Sequence, residues 1–300
     1  MEKKCILCGS EELLYFSKKD SYDFFRCKKC GLIFVYPQPD LKTLISNFYS
    51  EKFAYHAKLS KDLNAIKSYN KKFIKIIDKL ARLKSQGSLL DVGCSNGEFM
   101  FLAERAGFKT IGVEVNKDTA NIAKNNGLRV FNGTLEEAGF KDDYFSVIYL
   151  GDVIEHVPNP NAIIKECKRI LKKGGIIFIS TPNINCFWAR ASGFICRLFK
   201  FPWSVLLPPF HLFLFSESNL KKFISELNFK ILETKYYSCS LRHELGGTGL
   251  LKEFFKDKSV KNLFYAILVF SNYTAIYFIN ILMKPFFKKD FEMLILVQKQ

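Results

Sequence analysis

A glycine-containing turn between an apolar strand and a helix is the clearest candidate for ligand binding. Residues 89–99 read LLDVGCSNGEF, and the two glycines permit a tight turn that a ligand can approach closely. The helix N-terminus behind the turn offers unpaired N–H groups. Glu114 closes the next predicted strand, 23 residues after Asp91, where nucleotide-binding α/β folds place the acceptor for ribose hydroxyls. Ser95 interrupts G-x-G-x-x-G and no G-x-x-x-x-G-K-[ST] loop occurs, so an adenosine-type site without a pyrophosphate cradle is predicted.

Two cysteine pairs near the N-terminus have the spacing of a metal site. Cys5 and Cys8 form one C-x₂-C-G knuckle, Cys27 and Cys30 form the second, and 18 residues separate the two pairs. Four thiolates at this spacing complete a tetrahedral Zn²⁺ site and leave no open position. Two disulfides are the alternative, but the scattered remaining cysteines favour a reducing compartment. The pattern predicts one structural zinc that stabilises a ribbon too short to fold alone.

Strands and helices alternate from Ser88 to Thr181, which predicts a parallel sheet covered by helices on both faces. Gly174 and Gly175 are expected to end the last helix, and Pro182 to end the fifth strand. The predicted strands are 88–93, 109–115, 128–132, 144–150 and 175–181, and the predicted helices are 97–106, 117–126 and 160–172. Ligands of such sheets lie beyond the carboxyl ends of the strands. The segments expected to meet there are Gly93–Gly97, Glu114, Thr134–Leu135 and Leu150–His156.

The string LDVGCSNG, together with Glu114 and the segment DVIEHVP at 152–158, resembles the class I S-adenosylmethionine-dependent methyltransferases. Their motif I is written [DE]-x-G-x-G-x-G, and Ser95 stands at its middle glycine. The resemblance implies a Rossmann-like, seven-stranded α/β sheet that binds S-adenosylmethionine. It also implies that Glu114 holds the ribose hydroxyls, and that Asp91 orients the turn or meets the cofactor's amine. The other implied cofactor contacts are Gly93, Cys94, Ser95 and Gly97 at the methionine end, Thr134 and Leu135 at the adenine, and Leu150 and Asp152 after the fourth strand.

His156 follows the fourth predicted strand, where an acceptor would lie beside the transferred methyl group. A histidine changes protonation near neutral pH and suits a general base for a hydroxyl, although packing against the cofactor or capping the next helix is the alternative. A third role follows from the resemblance to ubiquinone-type O-methyltransferases. Their cation-binding set of two carboxylates and a histidine corresponds to Asp152, Glu155 and His156, which would suit Mg²⁺, with Asp152 replacing the usual glutamate. His211 is a weaker candidate.

The resemblance extends along the chain. H-L-x-x-F-S at 211–216, followed by a helix and a strand, is similar to a branch that includes ubiquinone-biosynthesis O-methyltransferases and enzymes of bacterial surface-polysaccharide clusters. Members of the latter group often carry a Cys₄ ribbon. We expect a zinc-ribbon module at 1–38, a helical linker or cap at 39–84 and a methyltransferase domain at 85–300. Within that domain we expect an apolar substrate lid at 183–215 and an apolar helical insertion at 240–288, before the last strand.

The charge and hydropathy of the sequence bear on the cellular location and on the partners of the protein. The net charge of +16 favours polyanionic neighbours such as anionic lipid or phosphorylated substrates, or reflects solvated helix faces at lysine pairs such as Lys71–Lys72. The N-terminus lacks the apolar run of a secretory signal, which indicates a cytoplasmic protein. Residues 263–283 carry no charge and are long enough to span a membrane, but the predicted last strand at 291–297 must return to the sheet. Peripheral contact with the inner membrane face and a packed helix pair are the two hypotheses.

The leading functional hypothesis is a methyltransferase that acts on a hydroxyl of a small molecule, either a saccharide or a lipid-linked intermediate. A C-methyltransferase on a nucleotide sugar and an rRNA methyltransferase are alternatives, because both classes also pair a zinc module with this fold. Nucleic acid is the less favoured partner, since the lid is apolar and GDVI at 151–154 stands where amino-group methylation uses N-P-P-[YF]. The intact turn and Glu114 oppose a catalytically silent binding protein.

Overall fold

The computed structural model describes residues 3–19, 21–48, 71–82, 87–199, 205–237 and 290–300, together with Phe278 and Leu282. In these ranges the strands are β1 (Leu13–Lys19), β2 (Tyr22–Cys27), β3 (Ile33–Tyr36), β4 (Ser88–Val92), β5 (Lys109–Glu114), β6 (Val130–Asn132), β7 (Phe145–Gly151), β8 (Leu171–Pro182), β9 (Phe213–Leu214), β10 (Phe229–Tyr237) and β11 (Glu292–Lys299). The helices are α1 (Leu41–Phe48), α2 (Lys71–Arg82), α3 (Glu98–Arg105), α4 (Lys117–Asn125), α5 (Pro160–Ile170), α6 (Phe187–Phe199) and α7 (Glu217–Glu226).

The larger sheet has seven strands in the order β10-β11-β8-β7-β4-β5-β6. The five strands from β8 to β6 pair in parallel, and β11 lies antiparallel between β8 and β10. Leu89, Leu90, Ile148 and Ile177 are fully buried, because helices and neighbouring segments cover the central strands on both faces. The structure therefore confirms the predicted α/β sheet and the antiparallel return of the last strand.

Side-chain caps fix where the loops at the carboxyl edge of the sheet end and the helices begin. Asn116 accepts hydrogen bonds from the N–H groups of Asp118 and Thr119, each at 2.9 Å, and so starts α4. Asn159 caps α5 in the same way, with a proline at the first helical position. Ser216 forms a capping box at the start of α7. These polar residues offer the N–H groups of each first turn a partner.

One predicted boundary is wrong. Helix α5 ends at Ile170 rather than being ended by Gly174 and Gly175, and β8 begins at Leu171. Leu171 has φ −81° and ψ 134°, so it is already extended and pairs with Phe145 of β7. The ladder then shifts register, and Gly174, with φ 75°, lies in the irregular stretch. The glycines therefore bend a long strand instead of ending a helix.

The smaller sheet joins the N-terminal ribbon to the rest of the chain. Its order is β1-β2-β3-β9, and β9 comes from the segment predicted as a lid. The N–H of Val35 also donates to the carbonyl of Leu212 at 3.0 Å. Cys5 and Cys27 are buried in the same hydrophobic cluster as the core of the larger sheet. The ribbon is therefore packed against the lid segment rather than tethered at a distance.

Some predictions lie outside the described residues. They concern residues 49–70 and 83–86 around the linker, residues 200–204 of the lid, and the insertion at 240–288, including 263–283, apart from Phe278 and Leu282. Every helix within the described ranges falls short of the length and apolar character that a membrane crossing requires.

Candidate cofactor and acceptor site

The turn after β4 has the backbone of a ligand-binding loop. Gly93, Ser95 and Gly97 have φ values of 71°, 50° and 85°, in the left-handed region that glycine adopts most easily. The N–H of Gly93 donates to the carbonyl of Val113 at 2.8 Å, which fastens the turn to β5. Ser95 therefore adopts the left-handed conformation at the position of the motif's middle glycine.

The turn is also tightly packed from behind. A Cβ atom on Gly93 would lie 2.5 Å from Val153, and one on Gly97 would lie 2.2 Å from Leu128. Neither position has room for a side chain. The Cys94 side chain is buried and turns inward towards Gly112. Cys94 therefore lines the turn with its backbone and not with its thiol.

Backbone N–H groups fix the orientation of the Glu114 carboxylate. Its Oε2 accepts from the N–H of Ser95 and its Oε1 from the N–H of Asn116, both at 2.8 Å. Burial raises the pKa of Glu114 above its ordinary value, and the two N–H groups oppose that rise. Each oxygen keeps a further lone pair for a ligand hydroxyl. Asp91 lies deeper, 2% exposed, and burial followed by the charge of Glu114 raises its pKa well above the usual range, which suits a place behind the turn.

The remaining predicted contacts lie after β6 and at the end of β7. Thr134 and Glu137 hydrogen-bond each other reciprocally, the N–H of Thr134 to a Glu137 carboxylate oxygen at 2.7 Å and the N–H of Glu137 to the Thr134 hydroxyl at 3.2 Å. Leu135 and Leu150 are buried in the main hydrophobic cluster. Because β4 to β7 run parallel, the loops after them share one edge of the sheet. The structure thus brings all four predicted segments to that edge.

Asp152 belongs to an ionic network that the sequence did not reveal. Its Oδ2 lies 2.8 Å from Nζ of Lys72 on α2, and its Oδ1 accepts from the Ser180 hydroxyl at 3.1 Å. Lys72 also binds Glu292 of β11. The Lys72 side chain is only 15% exposed, so this member of the Lys71–Lys72 pair is not on a solvated face. No local sequence signal marks Lys72, since its partners are 80 and 220 residues away.

Glu155, His156 and His211 form a compact cluster beyond the end of β7. One ligand atom from each lies within 4.8 Å of the others, and the two histidine ring centroids are 5.0 Å apart. His156 Nδ1 donates to the carbonyl of Phe210 at 2.7 Å, so its Nε2 carries the free lone pair. Burial lowers the pKa of His156, and burial followed by the charge of His156 lowers the pKa of His211 to about 3. Both rings are therefore neutral near pH 7.

Backbone hydrogen bonds hold the two segments of this cluster together. The N–H groups of Leu212 and Phe213 donate to the carbonyl of Glu155 at 2.8 and 3.2 Å. Phe213 pairs in turn with Phe34 of β3. The ribbon sheet therefore positions His211 against the loop after β7. The structure groups His211, rather than Asp152, with Glu155 and His156.

The four N-terminal cysteines also converge. The Sγ atoms of Cys5 and Cys30 are 3.5 Å apart, as are those of Cys8 and Cys27, and all four lie within 4.8 Å of one another. Zn–S bonds of about 2.3 Å in a tetrahedron place sulfurs roughly 3.8 Å apart, whereas a disulfide requires about 2.0 Å. The four thiols are free of disulfides. Their arrangement fits a Cys₄ zinc site.

Comparison with known proteins defines the family. A methyltransferase-domain family matches residues 66–234, more than half of the chain. The chain therefore belongs to this family, and its fold is that of the class I S-adenosylmethionine-dependent methyltransferases. The magnesium protoporphyrin IX methyltransferase of Synechocystis, solved with bound SAH, matches with a TM-score of 0.50 at 11% identity over 77% of this chain and 83% of that chain.

Two curated relatives illustrate the sequence similarity. Protein MJ1123 of Methanocaldococcus jannaschii is 37% identical over 38% of this chain and 54% of its own length. The ubiquinone biosynthesis O-methyltransferase of Methylococcus capsulatus is 29% identical over 44% of this chain and 60% of its own length. The chain thus spans about half the length of the curated relatives that it matches.

Proposed function

We propose that this chain transfers a methyl group from S-adenosylmethionine to a hydroxyl of a small molecule, either a saccharide or a lipid-linked intermediate. The observation that carries the proposal is Glu114, whose two oxygens are held by N–H groups of the turn and of the next loop. Ubiquinone biosynthesis O-methyltransferases among the relatives support oxygen as the acceptor atom. The net charge of +16 and the aromatic residues of 183–215 support an acceptor with phosphorylated and apolar parts.

The residues at the edge of the sheet divide the work of binding. S-adenosylmethionine, when bound, supplies an electrophilic methyl group on its sulfonium sulfur. Glu114 would accept hydrogen bonds from the ribose hydroxyls, and the backbone of the turn at 93–97 would face the methionine end. Thr134 and Leu135 would border the adenine, with Leu150 and Asp152 below the methyl group. These roles place the acceptor next to His156.

His156 is assigned to activation of the acceptor hydroxyl. Its Nδ1–H is used by the carbonyl of Phe210, so only Nε2 can accept the proton of a hydroxyl or bind an ion that acidifies it. The neighbouring Glu155 is buried, and burial followed by the charge of Asp152 raises its pKa well above the usual range.

The test is titration calorimetry of the full-length chain with S-adenosylmethionine. Glu114→Ala should weaken binding by about tenfold or more, because each hydrogen bond to a carboxylate contributes about 1.5–3 kcal/mol. Glu136→Ala, an exposed carboxylate after β6, is the matched control and should bind normally. An unchanged dissociation constant for Glu114→Ala would refute the role of this residue. Methyl-labelling of rRNA, and not of saccharide or lipid fractions, would refute the acceptor class.

The remaining parts of the chain have proposed supporting roles. The ribbon at 1–38 would hold one structural zinc, 39–84 would link or cover the site, and 85–300 would form the catalytic domain. Residues 263–283 would rest on a membrane surface, since they are uncharged and flanked by Lys261 and Lys284. Flotation with anionic liposomes that high salt weakens is the expected result. Retention after carbonate washing, or no flotation, would contradict peripheral contact.

A further inference from the structure

Three side chains of types that can bind metals converge beyond β7, and three of their buried polar atoms have no hydrogen-bond partner in the described part of the chain. We propose that Glu155, His156 and His211 form a binding site for a first-row transition dication of the Zn²⁺ type. One ligand atom from each residue lies within 4.8 Å of the other two. The site is separate from the Cys₄ cluster, and it differs from a carboxylate-rich magnesium site because His211 takes part and Asp152 does not.

The first argument is the hydrogen bonding of buried polar atoms. Glu155 is 1% exposed, and within the described residues neither of its carboxylate oxygens has a partner at hydrogen-bond distance. The Thr181 hydroxyl faces this carboxylate, but it too lies outside hydrogen-bond distance. His211 Nδ1 is likewise buried and unpartnered there. Buried polar atoms without partners are rare in native proteins and cost stability. A cation between Glu155 and His211 satisfies all of these atoms together.

The second argument is the orientation of the ligands. The carbonyl of Phe210 holds His156 Nδ1–H at 2.7 Å, as backbone carbonyls commonly do for metal-binding histidines. The remaining Nε2 lies 3.8 Å from Glu155 Oε1. Ligand atoms about 2.0–2.2 Å from a tetrahedral Zn²⁺ lie roughly 3.3–3.6 Å apart. Small side-chain rotations would therefore close the cluster around an ion.

The donor set decides the class of ion. Two imidazoles and one carboxylate suit first-row transition ions, whereas Mg²⁺ and Ca²⁺ prefer oxygen ligands. Asp152, the additional oxygen donor, is engaged by the Lys72 ammonium at 2.8 Å. A second cation at Asp152 would be repelled by that ammonium. The geometry thus favours a nitrogen-rich site over the set of Asp152, Glu155 and His156.

Three protein ligands leave at least one coordination position open, as in catalytic rather than structural zinc sites. The following consequence rests on the proposed function. An acceptor hydroxyl bound at the open position would release its proton to water more readily, because a bound dication lowers the pKa of a coordinated oxygen. His156 would then act as a ligand and not as a free base.

Cobalt titration tests the site in the full-length chain. One equivalent of Zn²⁺ is first added to fill the thiolate cluster, since thiolates favour zinc, and Co²⁺ is then followed by visible absorption. We expect one equivalent to bind with ligand-field bands and no sulfur-to-cobalt charge transfer. Glu155→Gln and His211→Ala should each weaken binding by about 100-fold or more, since loss of a more distant partner already costs about 10- to 100-fold. Asp152→Asn should bind Co²⁺ like the parent chain.

Several outcomes would overturn the proposal. They are the absence of a second bound equivalent, displacement of Co²⁺ by equimolar Mg²⁺, and unchanged binding in Glu155→Gln, which keeps the side-chain shape and is expected to fold. Loss of binding in Asp152→Asn with retention in His211→Ala would identify the carboxylate-rich site instead. Calorimetry with S-adenosylmethionine on the same samples separates the two questions. Cofactor binding without cobalt binding contradicts only this inference, and the reverse contradicts only the proposed function.

Discussion

The two clusters of metal-ligating residues are built in opposite ways. The four cysteines lie within one ribbon, in two C-x₂-C pairs that each turn through a glycine. Glu155, His156 and His211 come from two loops, 54 residues apart at the contact between His156 and Phe210. The first cluster is defined by local spacing and can therefore be predicted from the sequence. The second exists only because the chain folds.

The clusters also differ in how far the polar atoms in and around them are hydrogen-bonded. In the ribbon, the N–H groups of Gly9 and Gly31 donate to the carbonyls of Cys5 and Cys27 at 2.8 and 2.9 Å, and the four thiols leave no position for a further ligand. Around Glu155, both carboxylate oxygens are without partners within the described residues. The first arrangement is that of a closed structural site, whereas the second keeps polar atoms without partners in the described residues, as binding and catalytic sites do.

The largest expected effect comes from the closed cluster. Cys27→Ala should abolish zinc binding and lower the free energy of unfolding by at least about 3 kcal/mol, since zinc binding supplies about 10–16 kcal/mol in small zinc domains. Cys167→Ala, equally buried in α5, should cost only about 1 kcal/mol of packing. Elemental analysis and chemical denaturation measure both quantities. Zinc content that is the same in the two variants would remove the structural role of the cluster.

Cys27→Ala also tests which parts of the candidate site depend on the ribbon. Because β9 pairs with β3, loss of the ribbon should disturb the segment that carries His211. Glu114 and the turn at 93–97 are held by β4 and β5 instead. Affinity of Cys27→Ala for S-adenosylmethionine should therefore stay within about threefold of the parent value, a difference of about 0.7 kcal/mol. A larger loss would mean that the ribbon supports the cofactor side as well.

Sequence patterns predicted the parts of the molecule that depend on near neighbours. The alternation of strands and helices, the turn after β4 and the convergence of the cysteine pairs agree with the prediction, except at the boundary between α5 and β8. Lys72 was not predicted to have a role, and His211 was only a weaker candidate. The contacts that define both residues are made with partners far away in the sequence. Lys72 meets Asp152 and Glu292 across three elements. The sequence around a helical lysine does not indicate whether its side chain faces water or a carboxylate.

The open cluster should respond to substitution with little loss of stability. Glu155→Gln keeps the shape of a side chain whose carboxylate makes no hydrogen bond within the described residues, so the free energy of unfolding in metal-free buffer should change by less than about 1 kcal/mol. Glu292→Gln, which weakens the contact with Lys72, should cost about 1–2 kcal/mol, since hydrogen bonds to charged groups contribute more. Urea denaturation compares the two. A loss of more than about 2 kcal/mol for Glu155→Gln, as a lost buried hydrogen bond would cause, would show that its carboxylate already has a structural partner.

The smallest expected effect tests whether the turn at 93–97 depends on residue type or on backbone path. Ser95 holds φ 50°, a conformation that costs a non-glycine residue about 1–2 kcal/mol. Ser95→Gly relieves this strain but loses about 0.5–1 kcal/mol through the freedom of the unfolded glycine, so the net change in stability should be under about 1 kcal/mol.

Cofactor affinity should likewise depend on the backbone path of the turn and not on the Ser95 side chain. The N–H of residue 95 still reaches Glu114 in Ser95→Gly, so binding of S-adenosylmethionine should stay within about threefold, or about 0.7 kcal/mol. Gly97→Ala is the contrasting variant, because its Cβ would lie 2.2 Å from Leu128 at φ 85°, and binding should fall clearly. Calorimetry of both variants decides the matter. A tenfold loss in Ser95→Gly, about 1.4 kcal/mol, would show that the serine hydroxyl itself contacts the ligand and that the turn is not defined by its backbone alone.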